Sequence, residues 1–310
     1  MFDLAVILLR WVQMTGATIL FGSSLFFLYA LPISGHGAAA GLPWPRPLLI
    51  TSALAVLLAC VLGLFAQTIV LVGSMHDGMQ YDALCAVVTG MSFGKSSVAR
   101  AATAVLFLIG FPLTRSARGG WALAGSFGGL MCASFAWMGH GAATTGTAGW
   151  LHLVSDILHT LAAGVWIGAL AAFLILLLSS DRPFASAHEH LHKALHGFSG
   201  IGSTVVAVLV ATGLVNGWFV IGLAGLPRIW TTLYGQLLTI KLILFLGMVA
   251  LAAANRFRLT PRLGAALALD PASREALLAL RNSLILETVL SIAVVGLVAW
   301  FGALAPPSVI

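Results

Sequence analysis

The sequence predicts an all-α membrane protein, a polytopic bundle of about eight transmembrane helices in a single domain covering residues 1–310. Three observations predict this class. Of the 310 residues, 60% are hydrophobic and only 8% are charged, and the mean hydropathy is +1.05. Apolar segments of about the 20 residues needed to cross a bilayer follow one another along the chain. The polar stretches between them are short, so we expect no separate aqueous domain.

Eight segments are apolar and long enough to be predicted as membrane spans. They are Leu4–Leu31, Pro47–Gly73, Ser97–Leu113, Trp121–Gly139, Trp150–Leu178, Ile201–Leu223, Leu233–Ala254 and Leu284–Leu304. The stretch Tyr81–Val88, between the second and third spans, is too short to cross and is expected to lie along the membrane surface as a helix.

The basic residues predict the orientation of these spans. The net charge of +6 lies mostly in the connecting loops, where lysine and arginine report topology rather than binding to nucleic acid. Loops one, three, five and seven contain Arg46, Arg115, Arg118, Arg182, Lys193, Arg256, Arg258, Arg262, Arg274 and Arg281. The opposite side holds Arg10, Lys95, Arg100, Arg228 and Lys241. Because short loops rich in basic residues stay in the cytoplasm, both termini are predicted to be periplasmic.

The fifth span carries a polar stripe. From Trp150 to Leu178 the only formal charge is Asp156. On a helix, His152, Asp156 and His159 stand at positions i, i+4 and i+7, on one face. An ionisable group at membrane depth costs about 2.5 kcal/mol or more, so such groups usually face the interior of a bundle. The stripe therefore predicts an ion or cofactor site.

Other polar residues are expected at a similar depth to this stripe. At about 1.5 Å per residue, Lys241 and His159 lie at comparable distances from the outer ends of their helices. Arg10, Gln13, Gln67 and Asn216 also map to the outer half. Pairing with Lys241 or Arg10 would lower the cost of burying Asp156, so an ion pair is expected. Glu287 belongs to the inner half and is either an exit-side polar group or a partner for Arg281.

Several side chains on the outward side are candidate metal ligands. They are Met75, His76, Met79, Met138, His140, His152 and His159. Thioether and imidazole together suit copper, as Cu(I) or Cu(II). Alternative interpretations remain open: His140 and His152 as interfacial hydrogen-bonding residues, the methionines as packing residues, and the histidines as haem ligands or part of a proton path.

The remaining cysteines and histidines form no recognisable catalytic set. Cys60, Cys85 and Cys132 show no motif, and no nucleophile accompanies His159 and Asp156. We therefore expect a transporter or copper-binding protein rather than an enzyme. The fifth loop holds the cluster His188–His196, which is interpreted as a solvated amphipathic connector or as a metal-accepting site on the inner side.

Four stretches resemble one family of bacterial inner-membrane proteins. The run YGQLLTIKLILFLGMVALAAANRFRLTPRL at 234–263 resembles the signature of the copper-resistance protein D family. DILHTLAAGVWIGAL at 156–170, FSGIGSTVVAVLVATGLVNGW at 198–218 and LRNSLILETVL at 280–290 are similar to its other helices. The resemblance covers the C-terminal half strongly and the first four helices loosely.

This resemblance implies copper handling, most often uptake into the cytoplasm together with a periplasmic copper-binding protein of the C type. It also implies a multi-pass location in the bacterial inner membrane, with the lipid bilayer as surroundings. Two other functions stay open: a b-type haem protein, with His76 opposite His140, His152 or His159, and a scaffold that docks a periplasmic copper protein. No ATP-binding motif is present in the sequence, so any transport would be passive or coupled to a gradient.

Overall fold

The computed structural model describes residues 2–30, 44–138, 146–178, 185–269 and 274–304, and these residues are almost entirely helical, with no strand among them. The helices are α1 (Phe2–Ala30), α2 (Pro45–Val72), α3 (Met75–Gly78), α4 (Tyr81–Gly90), α5 (Ser92–Gly110), α6 (Ala117–Ala133), α7 (Thr147–Leu178), α8 (Ala185–Gly225), α9 (Leu233–Ala254), α10 (Thr260–Leu269) and α11 (Arg274–Phe301). The predicted all-α class is confirmed.

Seven of the eight predicted spans appear within the described ranges as helices long and apolar enough to cross a membrane. The eighth, predicted at Trp121–Gly139, is α6, which has 17 residues and continues as the 3₁₀ turn Ser134–Trp137. This unit still runs the length of its neighbour α5. A Cβ on Gly120 would touch Phe111 at one end, and the carbonyl of Ser134 accepts a hydrogen bond from Ser96 at the other. The chain therefore passes along the bundle eight times.

Local sequence signals fix where several helices begin and end. Pro45 opens α2, and Gly73, with φ of 76°, closes it in the left-handed conformation that glycine adopts without steric cost. The hydroxyls of Ser116 and Thr232 cap α6 and α9 by accepting hydrogen bonds from Gly119 and Gly235. The short helix predicted at Tyr81–Val88 is present as α4.

Three helices extend well beyond their predicted spans. The predicted span Leu284–Leu304 belongs to α11, which begins ten residues earlier, at Arg274. The predicted span Ile201–Leu223 is part of α8, which begins at Ala185 and contains a break at Gly222. After α9, the π-helical turn Asn255–Leu259 leads directly into α10. The fifth and seventh loops are therefore partly helical in the described residues.

Helix α1 lies at the centre and packs against α2, α6, α7 and α11. It crosses α7 at glycine: a Cβ on Gly22 would overlap the Gly164 carbonyl, and a Cβ on Gly168 would overlap the backbone at Gly22. The hydroxyl of Ser23 donates to the Gly168 carbonyl across 2.9 Å. Small residues let two membrane helices approach this closely, because dispersion contacts between backbones replace side-chain packing.

Successive passes are antiparallel, which brings α1 and α11 together at one end. The Nη1 atom of Arg10 donates to the carbonyl of Gly302 across 2.9 Å. We call the end that contains Arg10 and Gly302 the polar end, because Gln13, Arg100, Asp156 and Asn216 also lie toward it. The first and last described residues of the chain are thus on the same side of the bundle.

Candidate functional site

The polar stripe of α7 faces α8. His152 is only 2% exposed, and its ring stacks on Phe219 with centroids 4.7 Å apart. One turn deeper, the Ser155 hydroxyl donates to the Thr212 carbonyl across 3.1 Å. The Nδ1 atom of His159 is 2.9 Å from the Thr212 hydroxyl. The two imidazoles are therefore held inside the α7–α8 seam, where a membrane protein keeps functional polar groups.

Asp156 lies between the two histidines, and its direct partner is an amide. The Asn216 Nδ2 atom donates to its Oδ1 across 3.4 Å. The expected direct ion pair is not formed: no described lysine or arginine nitrogen lies within 4.0 Å of the carboxylate. Lys241 and Arg10 instead act on Asp156 electrostatically at longer range. Two long cationic side chains, one from α9 and one from α1, thus interact with the same carboxylate at longer range, and neither forms a direct ion pair with it.

Three of the predicted outward ligands lie on the short helix α3 or directly after it, and this helix packs against α2 and α4. Met75 and Met79 are 59% and 52% exposed. The ring of His76 is 3.1 Å from the Asp77 carboxylate. This hydrogen bond, together with that from Ser74, lowers the pKa of Asp77 below its ordinary value. These donors are therefore accessible at the surface and separate from the α7–α8 seam.

Of the last two predicted ligands, Met138 lies among the described residues and His140 does not. Met138 follows the 3₁₀ turn after α6, and its sulfur accepts from Arg100 Nη2 across 3.0 Å. His140 lies outside the described residues, as do the side chains of the His188–His196 cluster.

No group of three or more His, Cys, Asp or Glu side chains in the described parts of the chain is arranged to hold a metal ion. His152 and His159 are seven residues apart, which is about 10.5 Å along a helix. Any copper ion on this seam would therefore meet one imidazole at a time. The structure also sets His76 on α3 and both seam histidines against α8, so no two described histidines face one another as axial haem ligands would.

A second polar cluster surrounds Arg100, which is fully buried. Its guanidinium donates to Ser134 Oγ, Gln13 Oε1 and Ser96 Oγ at 2.9, 2.7 and 3.0 Å. It also lies 3.8 Å from the centre of the Phe135 ring. Sequence reasoning counted Arg100 as a helix-end topology residue. Its position well inside α5, four residues after Ser96, was the sequence feature that could have indicated a buried arginine bonded to that serine.

A third cluster lies at the other end of the bundle. Glu287 is 2% exposed, and its two carboxylate oxygens accept from Trp166 Nε1 and Asn255 Nδ2 at 2.7 and 2.9 Å. The proposed pairing with Arg281 is not formed, and Arg281 Nε has no partner among the described residues. Glu287 instead ties α7 and α11 to the start of the π-helical turn.

Comparison with known proteins identifies the family. A family model described as copper resistance protein D matches residues 192–301, and one described as its N-terminal domain matches residues 1–150. Copper resistance protein D of Pseudomonas syringae pv. tomato is 34% identical over 302 residues, which cover 97% of this chain and 96% of that protein. The chain belongs to the copper resistance protein D family. The resemblance at 198–218, 234–263 and 280–290 is thereby confirmed, and the loosely similar first four helices are included.

Two shorter similarities agree with membership of this copper resistance family. Inner membrane protein YebZ of Escherichia coli is 33% identical over 127 residues, 41% of each chain. Copper transport protein CutJ of Bacillus subtilis is 35% identical over 104 residues, 33% of this chain and 18% of that protein. No solved structure matches the chain significantly.

The α7 stripe lies between the two matched ranges of the copper resistance family models. The similarity to the Pseudomonas protein extends across it. The chain is thus a multi-pass membrane protein of a copper-resistance family, and its relatives carry the names of resistance and transport proteins rather than enzymes.

Proposed function

We propose that the protein moves copper from the periplasm to the cytoplasm across the bacterial inner membrane, along the seam between α7 and α8. The observation that supports this path is the burial of the His152–Asp156–His159 stripe against α8 rather than against lipid. Neutral imidazole is a good copper ligand. Two imidazoles about 10.5 Å apart provide successive stations rather than one tight site. A transport path needs weak sites, because the ion must leave each one.

Copper would enter this path from the polar end. The exposed Met75, His76 and Met79 on α3 are positioned to receive the ion at the surface, with Met138 and His140 as further donors on the way. We infer that the donor is a periplasmic copper-binding protein of the C type, since thioether and imidazole groups exchange Cu(I) between proteins readily. At the other end, Glu287 and Asn255 lie where the ion would leave the bundle.

The test is copper accumulation in cells that lack other copper importers, at a defined external copper concentration. We expect the wild-type protein to raise cellular copper over an empty vector. We expect the variant with His152→Ala and His159→Ala to lose most of that increase at an equal membrane level of protein. Thr160→Ala is the matched control, because this hydroxyl bonds only to the Asp156 carbonyl of its own helix.

Uptake by the double variant at the wild-type level would refute the seam as the path. Absence of any increase with the wild-type protein, under conditions where a periplasmic copper protein still binds the membrane, would favour the scaffold function. A Soret band in the purified protein would favour the haem alternative.

A further inference from the structure

A cavity of about 250 Å³ opens at the polar end between α1, α2, the start of α5 and the residues that follow α11. Its polar lining consists of Arg10, Gln13 and Gln67, with the sulfurs of Met91 and Met138 beside them. None of the described residues that line it is acidic. One water molecule needs about 10–15 Å³ of space measured in this way, so the cavity has room for a small ion.

Arg10 is incompletely paired in this cavity. Its Nη1 atom donates to the Gly302 carbonyl, whereas its Nε atom is buried and has no hydrogen-bond partner in the described structure. A buried, unpaired donor on a charged group carries a large desolvation cost. Arginine at membrane depth normally finds a carboxylate or phosphate, which its planar edge holds with two parallel hydrogen bonds. No described carboxylate lies within 4.0 Å of this guanidinium.

A second guanidinium lies directly behind the cavity wall. Gln13 connects the two: it lines the cavity, and its Oε1 accepts from Arg100 Nη1 across 2.7 Å. Every hydrogen-bond partner of Arg100 is neutral, so its donors are satisfied while its charge is not compensated. Arg10 and Arg100 also repel one another electrostatically. With Lys241, three membrane-embedded cations at this end share Asp156, the one embedded carboxylate found there in the described ranges.

This excess of positive charge disfavours a metal cation in the cavity, although two methionine sulfurs border it. We propose that the cavity binds a small monoanion, a halide or a short carboxylate, on the unpaired edge of Arg10. Gln67 makes no hydrogen bond among the described residues, and its side-chain amide supplies a neutral second donor. The anion lowers the excess of positive charge among the three cations from two to one and gives Arg10 a charged partner. This site is separate from His152 and His159 on the proposed copper path, although Met138, a proposed donor on the way to them, also lines the cavity.

The experiment uses the purified full-length protein in detergent, at constant pH and ionic strength. The bulk anion is gluconate, which is much larger than either proposed ligand, and it is replaced stepwise by chloride or by acetate. We expect a saturable rise in the thermal unfolding midpoint of the wild-type protein with at least one of the two anions. The anion with the lower half-saturating concentration tells whether a halide or a carboxylate is the ligand.

Three variants locate the effect. Arg10→Gln is expected to abolish the saturable rise, and Gln67→Leu to raise the half-saturating concentration about tenfold while leaving every charge in place. Arg46→Gln is the matched control: Arg46 lies at the opposite end, against the Phe111 ring, and its loss should change nothing. An equal response of the wild-type protein to all three anions, or an unchanged response of a folded Arg10→Gln variant, overturns the proposal.

Discussion

At the scale of single residues, the buried carboxylates are stabilised by hydrogen bonds from neutral side chains rather than by direct ion pairs. The Asp156 carboxylate accepts a hydrogen bond from Asn216, while Lys241 and Arg10 act on it from further away. Glu287 is held by two neutral donors. Such arrangements keep buried charges solvated by the protein without locking them in tight ion pairs. A locked pair would leave the α7 stripe unable to exchange partners as an ion passes.

We predict a measurable coupling between Asp156 and Lys241. Asp156→Asn alone should destabilise the protein, because it leaves the nearby cations without a carboxylate. Adding Lys241→Gln should recover part of this loss, with a coupling free energy of about 0.5–3 kcal/mol in a double-mutant cycle followed by thermal unfolding. Arg228, which is exposed, serves as the control cation. The interaction would be contradicted if the effects of Lys241→Gln and of Arg228→Gln on the free energy of unfolding both simply added to the effect of Asp156→Asn.

At the scale of elements, the crossing of α1 and α7 positions the stripe. Because Gly22 meets Gly164 and Gly168 at backbone distance, α7 is fixed against the central helix at the level just below His159. The opposite face of α7 is then free to pack against α8 through Thr212 and Phe219. The glycines therefore determine which face of α7 becomes the seam.

We predict that Gly22→Ala is among the most damaging single substitutions in the chain. The new methyl group would overlap the Gly164 carbonyl, a backbone atom that cannot rotate away. A destabilisation of more than about 4 kcal/mol is expected, seen as loss of folded monomer in size-exclusion chromatography and of a cooperative unfolding transition. Gly217→Ala, where an added methyl group meets no atom within 4 Å, should change stability by less than about 0.5 kcal/mol. Similar yields of the two variants would disprove the close crossing.

At the scale of the whole molecule, eight antiparallel passes place both ends of the chain on one side. The hydrogen bond from Arg10 to Gly302 shows the shared side directly. Which side this is depends on the basic residues of the loops, and the sequence predicts the periplasm. The polar end, with the exposed donors at α3 and the cavity at Arg10, would then face the periplasm, from which we propose that copper enters.

We predict that reporter domains fused to the N-terminus and to the C-terminus report the same, periplasmic side. Alkaline phosphatase should be active at both positions and a cytoplasmically folding fluorescent protein dark at both. A fusion in the loop before α6 and one in the loop after it supply the controls, because these two loops lie on different sides only if α6 crosses. Opposite readings at the two termini would contradict the shared side that the hydrogen bond from Arg10 to Gly302 indicates.

Much of the fold followed from the sequence because bilayer thickness imposes a length on every span. The apolar run at Leu233–Ala254 and the short helix at Tyr81–Val88 were predicted at almost their observed bounds. The grouping of Arg10, Gln13 and Asn216 at one level also followed, since helix rise converts residue number into depth. The helical continuation of α9 through Asn255–Leu259 was not predicted, because charge there resembled a loop.

The sequence by itself determined the class of the protein and the depth of its polar groups, because these depend on composition and on distance along a helix, and its motifs indicated the family. Only the tertiary structure decided which side chains form hydrogen bonds with one another. Asp156 accepts from Asn216 rather than pairing with Lys241. Glu287 accepts from Trp166 and Asn255 rather than pairing with Arg281, and Arg100 donates to Gln13. The physical reason is that the sequence does not fix the rotation of each helix about its own axis. Depth is set along each helix, but the face that a side chain presents to its neighbours is set by where small residues let the helices meet.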